Sequence, residues 1–205
     1  AGSVVVEAPT GSGKSTCLPR WCAARGRVLV VEPRRLAARS LARHVAELEG
    51  TPVGEGVGYA VRFDACHGPG SRIVFVTPGV ALRWLADEGL AGFATVVLDE
   101  FHERRADTDL LAALLHHHGR HRLVVTSATV EGARLARYLD DEQLEAEGRL
   151  FPVEVRYTEQ RDLPRTRDLA QRVAQAVRTV LDETDAGDVL VFLPGRGEIR
   201  AAEAA

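Results

Sequence analysis

The chain has 205 residues and no methionine, and 25 of its 26 basic residues are arginine; the one lysine is Lys14. Without methionine the sequence is expected to be an excised piece of a longer protein. No apolar run approaches the roughly 18 residues that a bilayer-spanning helix needs. Ala1-Gly2-Ser3 followed by Val4-Val5-Val6 lacks the basic region and long apolar core of a secretion signal. The three cysteines, Cys17, Cys22 and Cys66, are odd in number and fit no zinc spacing, which predicts reduced thiols in the cytoplasm. A net charge of −3 provides no global basic field, so any binding to nucleic acid has to rest on a local stripe of arginines. Neither an internal repeat nor a low-complexity segment is visible.

What is present is ordinary core-forming composition, 45% hydrophobic and 27% charged, in a length that suits one α/β domain of about 150 residues plus a remainder. Apolar β-branched runs alternate with helical patterns, the signature of a mostly parallel sheet with crossover helices. Strands are expected at Val4–Glu7, Arg27–Glu32, Arg72–Thr77, Thr95–Leu98 and Leu123–Thr126. Helices are expected at Ser15–Ala24, from Pro33 to Glu49, at Gly79–Glu88, at Asp107–His118 before Gly119, and at Glu131–Leu139. In the long second helix Leu36, Leu41, Val45 and Leu48 fall on one face. The pattern changes near residue 150, which divides the chain into 1–152 and 153–205. The second part begins with expected strands at Val153–Tyr157 and Asp188–Leu193, separated by a helix at Asp168–Glu183 with Leu169, Val173, Val177, Val180 and Leu181 inward. Two strands and a helix cannot close a core of their own.

Ala8-Pro9-Thr10-Gly11-Ser12-Gly13-Lys14-Ser15 is a Walker A phosphate loop with Ala in place of the first Gly. Gly11 and Gly13 let the backbone turn N–H groups inward around phosphate oxygens, and the following helix adds its positive N-terminal end. Gly11, Ser12, Gly13, Lys14, Ser15 and Thr16 are the expected nucleotide-binding residues, with Lys14 on the β/γ-phosphates and the Ser15 hydroxyl on Mg²⁺. That the one lysine falls here fits the chemistry, because a compact ammonium does what a planar guanidinium cannot. About 85 residues later, Val96-Val97-Leu98-Asp99-Glu100 delivers two carboxylates at the end of an apolar strand, where open α/β sheets bind ligands. Asp99 and Glu100 join Ser15 as the expected metal residues; Asp99 is expected to hold Mg²⁺, and Glu100 also to position and deprotonate the attacking water.

Asp99-Glu100-Phe101-His102-Glu103-Arg104 resembles motif II of the DEAH-box helicases, the RNA helicase A-like branch of superfamily 2, with Phe in the third position. Other segments resemble the same family in the same order: Glu32-Pro33-Arg34-Arg35-Leu36-Ala37-Ala38-Arg39 (motif Ia), Val57–Asp64 (the segment after it), Thr77-Pro78-Gly79-Val80-Ala81-Leu82-Arg83 (motif Ib), Ser127-Ala128-Thr129 (motif III), and Leu190–Gly195 with Glu198-Ile199 (motif IV). The Glu-Pro-Arg-Arg and Asp-Glu-Phe-His-Glu-Arg wording is similar to the bacterial HrpB-type branch.

The resemblance implies a RecA-like helicase ATP-binding domain over 1–152, followed over 153–205 by the N-terminal part of a second RecA-like domain. It implies an NTP hydrolase that uses ATP or another NTP with Mg²⁺ and moves 3′→5′ along single-stranded RNA, with DNA as the alternative. Catalysis falls to Lys14, Asp99, Glu100 and His102. His102 would couple to Ser127 and Thr129, while Arg34, Thr77 and Gly195, with Arg35 and Arg83 as further candidates, would touch the RNA backbone. Where the family stacks an arginine on the base, this sequence has His44, so little selectivity among ATP, GTP, CTP and UTP is expected. Motifs V and VI, with the arginine fingers, lie beyond Ala205. Such a finger is typically worth about 10³–10⁵ in rate, so this stretch is expected to bind nucleotide and hydrolyse it slowly.

His116-His117-His118 and His121 do not read as a zinc site, because consecutive helical residues point about 100° apart. Two rival functions remain at this stage. One is a nucleotide- or RNA-binding module without productive turnover; the other is a P-loop ATPase acting on a non-nucleic substrate, which leaves Arg34, Thr77 and Ser-Ala-Thr without a role.

Overall fold

The computed structural model describes residues 2–128, 132–139, 142–146, 152–157, 166–183 and 187–205. Cα packing divides the chain into two units, Ala1–Phe151 and Pro152–Ala205. In the first unit the elements run β1 (Ser3–Glu7), α1 (Lys14–Ala23), β2 (Val28–Val31), α2 (Arg35–Leu48), β3 (Val57–Val61), β4 (Asp64–Cys66), β5 (Ile73–Val76), α3 (Pro78–Glu88), β6 (Thr95–Leu98), a 3-10 turn (Phe101–Glu103), α4 (Ala106–His118), β7 (Arg122–Ser127), α5 (Gly132–Leu139) and β8 (Glu142–Glu145). The eight strands form one sheet in the order β4-β3-β5-β2-β6-β7-β1-β8. Only the β3–β4 pair is antiparallel among the described residues. This is the mostly parallel architecture that the alternating pattern implies, and it agrees with the RecA-like domain that the resemblance implies.

Helices on both faces explain the composition of the central strands. A strand covered on two sides has no solvent face to mark with polar residues, so it reads as a continuous apolar run. Val28-Leu29-Val30-Val31 and Ile73-Val74-Phe75-Val76 are buried at every position. Their alternate side chains feed two cores. Leu29, Val31, Val74, Val76, Val96 and Leu98 pack with Leu111, Leu115 and Ala81 on one face. Val28, Val30, Ile73, Phe75 and Val97 pack with Ala38, Ala42 and Val45 on the other.

That second face corrects the expected orientation of α2. Leu36 and Leu48 are 76% and 47% exposed, Leu41 is partly buried, and the residues pressed on the sheet are Ala38, Ala42, Val45 and Ala46. Small side chains let the helix axis approach β3 and β5 closely, so the alanine stripe wins over the bulkier leucines. Because Ala42 is fully buried, Ala42→Leu should destabilise the domain by about 1–3 kcal/mol through overpacking. Urea denaturation followed by circular dichroism reads this directly, with the midpoint moving down.

Three strands have no counterpart among the elements expected from sequence. The turn between β3 and β4 carries Arg62 and Phe63, and Phe63 takes a left-handed φ of 68° where hairpins ordinarily place Gly or Asn. The usual turn signal is therefore missing. β8 is Glu-Gln-Leu-Glu, a polar edge strand beside β1 with no apolar run to reveal it.

In the second unit α6 (Thr166–Glu183) and α7 (Arg196–Glu203) pack against each other. The expected strands at 153–157 and 188–193 are not strands here. A strand exists only as one side of a ladder, and no described residue pairs with either segment. Val153, Val155, Tyr157, Leu190 and Phe192 are all exposed. On α6, Val180 and Leu181 are also exposed, so the inward face is limited to the half-buried Leu169, Val173 and Val177.

Candidate functional site

Three neighbouring strands, β6, β7 and β1, bring their carboxyl ends to one edge of the sheet. β1 runs into the loop 8–13 and then α1. β6 runs into Asp99-Glu100, and β7 ends at Thr126-Ser127. The phosphate loop and the acidic pair therefore leave the same edge with one strand between them. β7 binds to both sides: the Ala8 N–H donates to the Ser127 carbonyl at 3.2 Å, and the Thr126 hydroxyl donates to Asp99 Oδ1 at 2.5 Å.

In the loop, Gly11 and Gly13 have φ of 77° and 83°, left-handed values that a side chain would strain. They turn the chain so that α1 begins at Lys14, whose side chain is buried and folds back on the loop. The Lys14 ammonium donates to the carbonyls of Ala8 at 2.5 Å and Pro9 at 2.8 Å. Thr16 Oγ1 donates to the Gly13 carbonyl at 3.0 Å. Ser15 is half-buried at the helix start, and Gly11 and Ser12 are exposed.

Asp99 is fully buried, and its Oδ2 has no hydrogen-bond partner among the described residues. An orphaned, desolvated carboxylate oxygen is costly, and a bound cation is a partner that would satisfy it. Among the described residues no group of three or more His, Cys, Asp and Glu could hold a metal. Mg²⁺ would not need such a cluster, because it ordinarily takes one or two protein oxygens and fills its octahedron with water and phosphate.

Glu100 has a left-handed φ of 50° and Arg104 one of 47°, so a short 3-10 turn is bracketed by two strained non-glycine residues. The Glu100 N–H reaches Asp99 Oδ1 at 3.1 Å and Thr126 Oγ1 at 3.3 Å. The buried Phe101 ring anchors the turn. The His102 ring faces both partners of interest through one nitrogen: Nδ1 lies 3.3 Å from Glu100 Oε2 and 3.4 Å from the Ala128 N–H. A single ring nitrogen either donates to the carboxylate or accepts from the amide, so the two contacts are alternatives. Ser127 is buried at the end of β7, and Thr129 lies outside the described residues.

Glu32, at the end of β2, was not expected among the site residues although it belongs to the Glu-Pro-Arg-Arg segment. It is 3% exposed, and burial, reinforced by Asp99, Glu100 and Glu103 nearby, pushes its carboxyl up to about 7; the hydrogen bond from Arg34 N–H opposes this. A charged residue closing an all-aliphatic strand was the available signal. Between the ordinary carboxylate range and pH 7 the folded state holds a proton that the unfolded chain has released. Stability therefore falls as pH rises through that window. Glu32→Gln should flatten this slope in metal-free buffer and stabilise the protein at pH 8 by on the order of 2–3 kcal/mol, measured by thermal unfolding across pH 4.5–8.

Arg35, Thr77 and Arg83 line one groove of about 620 Å³ together with Arg62, Phe63 and Arg105. Thr77 is the residue before α3, whose Pro78 opens the helix. Arg62 places its guanidinium 4.7 Å from the Phe63 ring, and Phe63 is 89% exposed. These two and Arg105 were not expected at the site. Arg34 is not among the lining residues: its Nη2 lies 2.7 Å from Glu103 Oε1. Gly195 belongs to the second unit, where it precedes α7. His44 is largely exposed, with Nδ1 4.0 Å from Glu47. Of the histidine run, His116, His117 and His118 are exposed, whereas His121 is buried with its ring nitrogens 2.9 Å and 3.0 Å from the Phe93 and Gly89 carbonyls.

The sequence matches the DEAD/DEAH box helicase family over residues 1–137. The chain belongs to that family. It is 41% identical, over an alignment of 214 residues covering 99% of this chain and 26% of the relative, to the ATP-dependent RNA helicase HrpB of Escherichia coli (strain K12). Two crystal structures resemble this helicase-family chain over its whole length. One, of the E. coli DEAH/RHA helicase HrpB, has a TM-score of 0.83 and 40% identity and is covered over 27% of its length. The other, of the E. coli DExH-box NTPase HrpB, has a TM-score of 0.71 and 39% identity and is covered over 26%. The chain thus spans about a quarter of the length of these relatives. Among the described residues no helix is long and apolar enough to cross a membrane.

Proposed function

We propose that this chain is the nucleotide-binding part of an ATP-dependent RNA helicase motor, working in the cytoplasm, in which NTP hydrolysis drives movement along single-stranded RNA. Residues 1–152 would form the ATP-binding RecA-like domain and 153–205 the start of a second one. The observation that carries the reading is the orphaned Oδ2 of buried Asp99, on the same sheet edge as the phosphate loop.

Gly11, Ser12, Gly13 and Thr16 would wrap the phosphates with backbone N–H groups, and Lys14 would exchange its two loop carbonyls for β- and γ-phosphate oxygens. Ser15 and Asp99 would hold Mg²⁺, which supplies charge neutralisation at the transferring phosphoryl group. Glu100 would orient the attacking water and take its proton. His102, choosing between Glu100 and Ala128, would report the state of the nucleotide to the Ser127–Thr129 segment. Arg34, Arg35, Thr77 and Arg83, with Gly195 from the second unit, would hold the RNA backbone, a set of contacts that positions the strand without reading its sequence.

The test is steady-state NTP hydrolysis by the full-length protein with and without single-stranded RNA, set beside single-stranded DNA of the same sequence. The reading expects stimulation by RNA. Nucleotide binding without turnover would make the chain a binding module, and turnover indifferent to both polymers would make it an ATPase for some other substrate.

A further inference from the structure

Arg34 is expected to grip an RNA phosphate, yet its guanidinium is already engaged. Nη2 sits 2.7 Å from Glu103 Oε1, although the arginine side chain is 71% exposed and the glutamate only 22%. The exposed partner of an ion pair is the one free to leave, and the sheltered partner is the one that stays. Two features fix where Arg34 starts. Its own N–H donates to Glu32 Oε1 at 3.1 Å, and it is the extended residue immediately before α2, so its Cα is pinned beside the acidic turn while its side chain swings outward.

Glu103 is no ordinary surface carboxylate. It ends the 3-10 turn that starts after Glu100 and carries His102, and the strained φ values of Glu100 and Arg104 bracket it. Arg104 leans on the Phe101 ring at 5.7 Å and makes a two-point contact with Asp109, both bonds 3.2 Å. The far side of the turn is thus tied down, and the Arg34 pair ties down the near side. The guanidinium has N–H groups enough for two acceptors, but the Glu103 carboxylate and an incoming phosphate repel each other across one positive charge, so the more highly charged phosphate weakens the Glu103 contact.

We propose that Glu103 is a positioning residue that holds Arg34 against the acidic turn until an RNA phosphate displaces it, so that RNA capture and release of the Phe101–Glu103 turn are one event. This rests on the helicase reading above and names a coupling inside the same site. Linkage then runs both ways: whatever loosens the Glu103 contact favours RNA, and RNA loosens the turn that follows Glu100 and carries His102.

The probe is a fluorescent oligouridylate, titrated by anisotropy into the full-length protein and its variants at fixed salt. Glu103→Gln should tighten RNA binding by about two- to five-fold, the worth of a partly exposed ion pair. A gain in affinity cannot come from misfolding. On an Arg34→Gln background the same Glu103→Gln change should do nothing, because the group it restrains is gone. Equal tightening in both backgrounds would show only a general field effect of one lost negative charge, and would overturn the latch. Unchanged affinity in the single variant would overturn it as well. If the wild-type protein fails to bind the oligonucleotide at all, the helicase reading falls and the latch falls with it, an outcome plainly distinct from the other two.

Discussion

Lys14→Ala should cut kcat/KM for NTP hydrolysis in the full-length protein by about 10²–10³-fold, the typical loss when one donor aimed at developing negative charge is removed. The lysine is buried at the start of α1 and, among the described residues, donates to carbonyls of its own loop with no carboxylate in hydrogen-bond contact, so it is held ready. Its loss removes the one flexible ammonium in the chain. Arginine should not restore activity. The guanidinium is planar and longer, and a loop that folds the ammonium back within 2.5 Å of Ala8 has no room for a fork. Lys14→Arg therefore separates a need for positive charge, which it would satisfy, from a need for this compact geometry, which it would not. Thermal unfolding of both variants guards against a trivial loss of fold.

Glu100→Gln should lower turnover by about 10²–10⁴-fold while nucleotide affinity stays within a few-fold of wild type. Glutamine keeps the shape of the side chain and the left-handed backbone that the 3-10 turn requires, but it cannot accept the proton of the attacking water. Single-turnover hydrolysis and direct nucleotide binding, measured together, distinguish this from Asp99→Asn. Asp99 is fully buried with one oxygen on Thr126 and the other unpartnered. Its neutralisation should weaken binding of the magnesium complex itself. Two adjacent carboxylates are thus expected to fail in two different ways.

Much of this was legible because apolar strands covered on both faces advertise themselves. β2, β5, β6 and β7 each carry a run of Val, Leu, Ile or Phe, and each leads to a residue of interest at its carboxyl end: Glu32, Thr77, Asp99 and Ser127. What failed to show had a physical reason each time. The hairpin β3–β4 turns on Phe63, a residue that ordinarily avoids positive φ, so no turn signal announced it or the groove beside it. Helix α2 buries alanines, which a reading that ranks leucine above alanine places outward. Residues 153–157 and 188–193 have the composition of strands, but composition cannot supply the neighbour that a ladder requires. Pairings between side chains were hidden as well. Nothing in Glu-Pro-Arg-Arg or Phe-His-Glu-Arg says that Arg34 meets Glu103, or that Glu32 shares its surroundings with Asp99.

All of the proposed chemistry depends on the loop 8–15 and the pair 99–100 acting on one triphosphate across the end of β7. A crystal structure with Mg²⁺ and a non-hydrolysable NTP analogue measures this directly. The Lys14 ammonium should have left the Ala8 and Pro9 carbonyls for phosphate oxygens, with Asp99 Oδ2 bound to the metal or to one of its waters. A triphosphate seated elsewhere, or a metal that Asp99 does not reach, would contradict the account.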